Sequence, residues 1–300
     1  MIRNFDELTE KAVSGNKKRL AVAAAADEEV LKAVKMSVEK GLIEAVLTGD
    51  REKIINKSRK IDFDISSSEI IDVINKKEAC IKAVKLVTEG KCDILMKGMV
   101  DTSTIMKEVL NDDYGLTADK LISHIAMVES TALERIVFVT DGGMNIKPDL
   151  DQKKQILDNA INVARGLGYK KPKIAALAAV EKINPAMEET LDAAALAKMS
   201  DRGQIKNAIV DGPLALDNAL SKEAAEIKGI ESPVAGKADI LLVPEIIAGN
   251  ILGKSSVYFA EDDIATIIGG TSKPIVLTSR ANTARIKSIS IAAAVLMASD

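Results

Sequence analysis

Near the C-terminus the apolar run 274–277 gives way to Thr278, Ser279 and Arg280, and a second pattern begins at Asn282. The spacing predicts a buried strand that delivers a hydroxyl and a guanidinium to a turn opening a helix. The first N–H groups of a helix lack intrahelical partners and lie at the positive end of its dipole, so they attract anions. An arginine fork beside them grips phosphate oxygens in a fixed orientation. The chemistry this points to is the handling of a phosphate-bearing small molecule, although a simple cap with a surface salt bridge has the same spelling.

Short apolar runs alternate with longer amphipathic segments along almost the whole chain. The runs fall at 20–24, 45–48, 93–96, 124–127, 135–140, 173–177, 208–210, 239–243 and 275–278, with helical patterns at 27–40, 151–167 and 185–199 between them. Such alternation predicts a mostly parallel sheet covered by helices on both faces. Polar or glycine residues follow most of the runs: Gly49 and Asp50, Lys97 and Gly98, Asp141 to Gly143, Asp211 to Pro213, Pro244 and Glu245, Ser279 and Arg280. Ligands of open α/β sheets bind outside the carboxyl ends of strands, so function is expected there, while each turn also needs Gly, Asp or Ser for backbone reasons alone. The polar stretch 111–120 and the stretch 269–274 read as two crossings between domains.

The chain has 300 residues, 47% hydrophobic and 28% charged, with a formal charge of -3. This is ample core material for one large or two ordinary α/β domains. The near-neutral balance offers no field for a polyanion, and three Tyr, four Phe and no Trp leave few platforms for stacking bases, so nucleic acid is not an expected partner. No apolar stretch reaches the ~20 residues of a membrane helix, and the N-terminus lacks the layout of a secretion signal. A cytoplasmic protein is expected. One histidine, His124, and two cysteines, Cys80 and Cys92, cannot build a familiar zinc site, and the cysteines read as reduced core filler.

Several enzyme classes lose their usual parts. The segment after the first run is Ala23-Ala-Ala-Ala-Asp-Glu28 rather than a glycine fingerprint, and Gly253-Lys254-Ser255 lacks its framing glycine because Ala248 stands there. Dinucleotide binding and ATP hydrolysis of the common kinds are disfavoured. With His124 alone as imidazole and no nucleophile elbow, an acyl-enzyme route is unsupported. His124 opens an apolar run and is read first as packing.

Taken together, six blocks in order resemble the phosphate acetyl/butyryltransferase family over nearly the full chain. Met96-Lys-Gly-Met-Val-Asp-Thr-Ser103, continuing to Leu110, resembles the butyryl branch, as do Leu121-Ile-Ser-His-Ile-Ala126 and the stretch 141–149 with Asn145 and Pro148. Asp211-Gly-Pro-Leu-Ala-Leu-Asp217 resembles a motif of both branches. Ala238-Asp-Ile-Leu-Leu-Val-Pro-Glu-Ile-Ile-Ala-Gly-Asn250, with Lys254, is the most specific block, and Leu277-Thr-Ser-Arg280 corresponds to the catalytic Ser-Arg turn.

The resemblance implies an acyltransferase that converts acyl-CoA and phosphate into acyl phosphate and free CoA by direct transfer, with butyryl-CoA the expected substrate. It implies two three-layer α/β/α domains, isocitrate/isopropylmalate dehydrogenase-like, in a homodimer with the active site in the interdomain cleft. The first domain would be discontinuous, 1–121 plus 270–300, and 122–269 would be inserted. No permanently bound cofactor is implied, since coenzyme A and its thioester are substrates, and the acyl phosphate links the enzyme to an acyl-phosphate-using kinase. By the same resemblance Arg280 holds the phosphoryl group and Ser279 hydrogen-bonds the tetrahedral species or the sulfur. Lys97, Gly98, Lys107, Asp211, Gly249, Asn250 and Thr278 are the expected substrate contacts. Lys97 also reads as an ordinary strand-end lysine, and Lys107 stands where the acetyl branch has an arginine.

Two positions depart from the family pattern. The acetyl branch carries an aspartate six residues after the arginine, where this chain has Ile286, and butyryl relatives often carry Asp where this chain has Asn282. The proton acceptor is therefore unassigned. Three readings compete with the butyryl one: acetyl preference, a decarboxylating dehydrogenase relative of similar fold, and a CoA- or phosphate-binding sensor without turnover.

Overall fold

The computed structural model describes residues 1–117 and 120–298. Ala118 and Asp119, inside the stretch read as a crossing, and the last two residues of the C-terminal segment lie outside the described residues. In chain order the elements are α1 (Phe5–Val13), β1 (Lys18–Ala23), α2 (Glu28–Glu39), β2 (Ile43–Gly49), α3 (Arg51–Lys60), β3 (Glu69–Asp72), α4 (Lys76–Thr88), β4 (Ile94–Lys97) and α5 (Thr102–Val109). Next come β5 (Ser123–Ser130), β6 (Arg135–Thr140), α6 (Leu150–Gly166), β7 (Lys173–Leu177), α7 (Glu188–Asp201), β8 (Ile209–Leu214), α8 (Leu216–Leu220), α9 (Lys222–Ile227), β9 (Ile240–Leu242) and α10 (Ile246–Tyr258). The chain closes with β10 (Asp263–Gly269), β11 (Ile275–Val276) and α11 (Ala284–Met297).

These elements form two compact units, one of residues 5–120 with 265–300, the other of 1–4 with 121–264. In the first the strands run β3-β2-β1-β4-β11-β10, parallel throughout except for the antiparallel pair β10–β11. The stretch 269–274 is the turn of that pair, with Gly270 at φ +85. Nearly every residue of β1 and β4 is buried, as expected of strands covered on both faces. Helix α4 packs on β1 and β2, while α11 packs on α2, α1 and β11. Helix α11 is apolar almost all round, from Ile286 to Val295, which is the composition of a buried helix. Each fully buried Leu or Ile contributes about 1.5–3 kcal/mol.

In the second unit the strands run β5-β6-β9-β7-β8, with β5 and β6 antiparallel and the other pairs parallel. Its core joins Val128, Val137, Val139, Leu241 and Val243 to Ala248 and Leu252 of α10. Phe138 and Tyr169 meet edge to face at 5.2 Å. The fold is therefore a mostly parallel α/β one, as the alternation predicts. The strands β3 and β10 lie outside that alternation. The first is a short, largely exposed edge segment, Glu69–Asp72, with too little burial to leave an apolar run.

Candidate active site

Strand β1 is flanked by β2 on one side and β4 on the other, so the order in which strands are added to the sheet reverses between β1 and β4. A crevice opens beyond the carboxyl ends of strands at such a switch point. Here the loops after β1, β4 and β11 line a cavity of about 60 Å3, formed by Asp27, Glu29, Val30, Lys97, Gly98, Met99, Thr278, Ser279, Arg280 and, from α11, Lys287. At ~10–15 Å3 per water-sized sphere, the cavity holds a few waters or one tetrahedral oxyanion.

The loops are tied to each other by backbone. Gly98 N donates to Ala23 O (2.8 Å) and Met99 N to Ala24 O (2.9 Å). A β-carbon on Gly98 would stand 2.4 Å from Ala24 O, so this position admits glycine alone. Ala24 adopts φ 54, a left-handed conformation that costs a residue with a β-carbon ~1–3 kcal/mol. No glycine marks that turn in the sequence.

Lys97, the last residue of β4, is 5% exposed. Its Nζ makes only long contacts, to Gly98 O at 3.4 Å and Val100 O at 3.3 Å. Burial lowers its pKa, and the charges of Arg280 and Lys287 lower it further against the opposing pull of Asp101 and Asp27. Lys287 is 3% exposed and donates to the carbonyl oxygens of Ser279 (3.3 Å) and Asn282. Burial lowers its pKa too, while Asp27 and Glu29 act in the other direction.

The Ser-Arg turn differs from its sequence expectation. Helix α11 begins at Ala284, not at Asn282, with Thr283 as its cap. Its first N–H groups are taken: Ala284 N donates to Glu29 Oε2 (3.0 Å) and Ile286 N to Thr283 Oγ1 (3.4 Å). The expected anion seat at this helix end is filled by a carboxylate of the protein itself, and the positive potential comes from side chains instead. The turn is held by Ser279 N donating to Asn282 Oδ1 (2.7 Å) and by Lys287 beneath it. An aspartate at 282 would accept the same hydrogen bond, so Asn282 preserves the turn despite departing from the family pattern. Arg280 pairs with Asp101 at 2.5 Å, both side chains well exposed. Asp101 precedes α5 without capping it by its side chain. Thr278 Oγ1 is buried and has no hydrogen-bond partner.

Thus the structure brings Lys97, Gly98, Thr278, Ser279 and Arg280 together. It sets Lys107 apart, on a separate depression along α5 with Ser103, Met106 and Tyr114. Asp211, Gly249 and Asn250 belong to the other unit. Asp211 Oδ1 accepts from Gly212 N (2.8 Å) on β8. Gly249 lets α10 cross the turn after β6, where a β-carbon would meet Gly142 Cα at 2.7 Å, and Asn250 Nδ2 reaches Gly142 O at 3.4 Å. That turn is organised by buried Asp141, which accepts from Gly143 N and Met144 N. His124 packs its ring against Gly143, and burial lowers its pKa against the charge of Asp141. Lys287, Asp27, Glu29 and Asp101 are site residues that sequence reasoning missed. The available signal was a single charged residue within the stretch 286–297. Among the described residues no group of three or more His, Cys, Asp or Glu is placed to hold a metal ion.

A mostly parallel α/β fold with three cationic side chains around a small cavity at the switch point defines an α/β protein with a candidate anion site. Comparison with known proteins is more specific. Residues 4–80 and 72–296 match the family Phosphate acetyl/butaryl transferase. A phosphate butyryltransferase of Clostridium acetobutylicum is 47% identical over 300 residues, all of both chains, and a phosphate acetyltransferase of Thermotoga maritima is 43% identical over 98% of this chain and 99% of its own. A crystal structure of a branched-chain phosphotransacylase from Enterococcus faecalis superimposes with a TM-score of 0.83 at 32% identity, covering 94% of this chain and 99% of the other. A 4-hydroxythreonine-4-phosphate dehydrogenase from Klebsiella pneumoniae shares the fold alone, with a TM-score of 0.57 at 14% identity over 95% of this chain and 100% of the other. The chain belongs to the phosphate acetyl/butyryltransferase family and has a dehydrogenase-like α/β fold.

Proposed function

We propose that this protein is a phosphate butyryltransferase, converting butyryl-CoA and phosphate into butyryl phosphate and CoA within a ternary complex. The observation that carries the reading is the convergence of Lys97, Arg280 and Lys287 on one phosphate-sized cavity beside Ser279 and the unpartnered Thr278 hydroxyl. Attack of phosphate on a thioester builds negative charge on the carbonyl oxygen and then on sulfur, so fixed cations and hydroxyls lower the barrier without a covalent intermediate. Arg280 exchanges Asp101 for a phosphoryl oxygen, Thr278 donates to the same oxyanion, and Ser279 hydrogen-bonds the tetrahedral species. Losing one such donor costs about 2.7–4 kcal/mol of barrier. Lys97 and Gly98 form the floor of the seat. Lys107, Asp211, Gly249 and Asn250 are proposed as further substrate contacts, to be read out as a raised KM for acyl-CoA on replacement of Lys107 or Asn250 by alanine.

Incubation with butyryl-CoA and phosphate, followed by titration of free thiol, tests the assignment; release no faster with phosphate than without rejects it. The 43% identity to a phosphate acetyltransferase supports acetyl preference as the second reading. Specificity constants for acetyl-, butyryl- and branched acyl-CoA decide between the two. We further propose a cytoplasmic homodimer that supplies an acyl-phosphate-using kinase. Ile247, Ile251, Tyr258 and Phe259, exposed on and just after α10, support self-association. Light scattering at the mass of one chain would count against it.

A further inference from the structure

The reaction moves a proton as well as an acyl group, because phosphate loses one when it attacks and the departing thiolate gains one. Neither acidic position of the family pattern is available to carry it. Ile286 is 6% exposed, in the buried helix α11, and Asn282 spends its side-chain oxygen on the backbone of Ser279.

The remaining groups around the cavity can be compared in turn. Glu29 Oε1 pairs with Lys32 (2.7 Å) and its other oxygen accepts from Ala284 N; the bond to Lys32 first, then that N–H, hold its pKa below the usual carboxylate value despite its partial burial. Asp27 caps α2 through Val30 N, and Asp101 is engaged by Arg280. All three carboxylates are thus engaged by donors of the protein itself in this structure. Burial lowers the pKa of Lys287 as well, but its N–H groups are spent on the carbonyl oxygens of Ser279 and Asn282 that shape the turn. Lys97 alone is a buried amine with no carboxylate partner and only long carbonyl contacts.

We propose that Lys97 is the proton shuttle of the transfer reaction. In the direction of acyl-CoA formation its neutral amine takes the S–H proton of CoA as sulfur attacks the acyl phosphate carbonyl. The carbon–sulfur bond forms, the carbon–oxygen bond to phosphate breaks, and the ammonium returns the proton to the departing phosphate oxygen. In the opposite direction hydrogen phosphate gives its proton to the amine, and the ammonium passes it to the thiolate, so no net proton is left on the protein. The surroundings suit an amine that changes state. Burial, Arg280 and Lys287 disfavour the ammonium, and Asp101 and Asp27 favour it. Cys80 on α4, whose thiol burial pushes up to about 11, adds no charge at neutral pH. Burial with only long carbonyl contacts disfavours the ammonium of Lys97, the direction a general base needs.

This inference rests on the acyltransfer reading, and the test separates the two. Wild-type protein without phosphate-dependent thiol release from any acyl-CoA rejects that reading itself. Given wild-type turnover, Lys97→Arg keeps the charge but cannot release a proton near neutrality. It is expected to lower kcat/KM by about 10²–10⁴-fold, the usual worth of general acid–base catalysis. Lys97→Ala, with folding checked by circular dichroism, is expected to recover at least about tenfold on addition of ethylamine, and a series of amines is expected to rescue more per mole of free base as their pKa rises. Lys97→Arg with wild-type rate and pH profile, or folded Lys97→Ala unmoved by amines, overturns the assignment.

Discussion

Arg280 and Asp101 form an exposed ion pair, so the guanidinium is oriented by a contact worth about 0–1 kcal/mol and can exchange it for a phosphate oxygen. Arg280→Ala is therefore expected to leave the melting temperature within a few degrees while cutting kcat/KM by about 100-fold or more. Calorimetry beside the thiol assay checks both halves. Lys287 has the opposite profile, being buried and bound to the carbonyl oxygens that shape the turn. At about 1.5–3 kcal/mol for a hydrogen bond to a charged group, Lys287→Met should lower kcat/KM for phosphate by about 10–100-fold. An unchanged KM and kcat in that variant would show that the turn holds without it. Ser279 and Arg280 were legible in the sequence because a hydroxyl and a guanidinium end an apolar strand. Lys287 was not, since nothing in the spacing tells which way one lysine on an apolar helix points.

At the level of elements, the ends of β1 and β4 work as a seat because their loops touch backbone to backbone, and the turn after β11 joins them through the Arg280–Asp101 pair. Gly98→Ala would push a β-carbon to 2.4 Å from Ala24 O, an overpacking that typically costs ~1–3 kcal/mol, and denaturant melts should show that loss. Helices α2 and α11 are joined where Glu29 accepts from Ala284 N. The folded pKa of Glu29 is lowered, first by its bond to Lys32, so its contribution is present above the ordinary carboxylate range and disappears as pH falls through the folded value. Glu29→Gln should accordingly flatten the acid limb of melting temperature against pH; identical acid limbs in both proteins would contradict the tie. The alternation of β1, β2, β4, β6, β7 and β9 with helices was readable because strands buried on both faces leave continuous apolar runs. The start of α11 was misread by two residues because Asn282, a good cap by type, spends its oxygen on Ser279 while Thr283 does the capping.

Over the whole molecule, both cysteines are free and buried, and burial raises each thiol to about 11. A disulfide reagent at about pH 8 should find almost no thiol in the native protein and both after denaturation. Rapid native reaction would contradict that burial. The stretch 269–274, expected as a crossing, is the turn between β10 and β11 inside one unit, because contacts that define a unit join residues far apart in the chain, such as Leu95 and Ile275. The family was legible from ordered blocks, whereas the separation of Lys107 from Lys97 depends on the path of α5 and left no trace in spacing. The most direct test of the central claim is thiol release from butyryl-CoA as phosphate is titrated, with wild type and Arg280→Ala side by side. The account predicts saturable phosphate-dependent release in wild type and its near-complete loss in the variant. Release indifferent to phosphate, or equal in the two proteins, would contradict it.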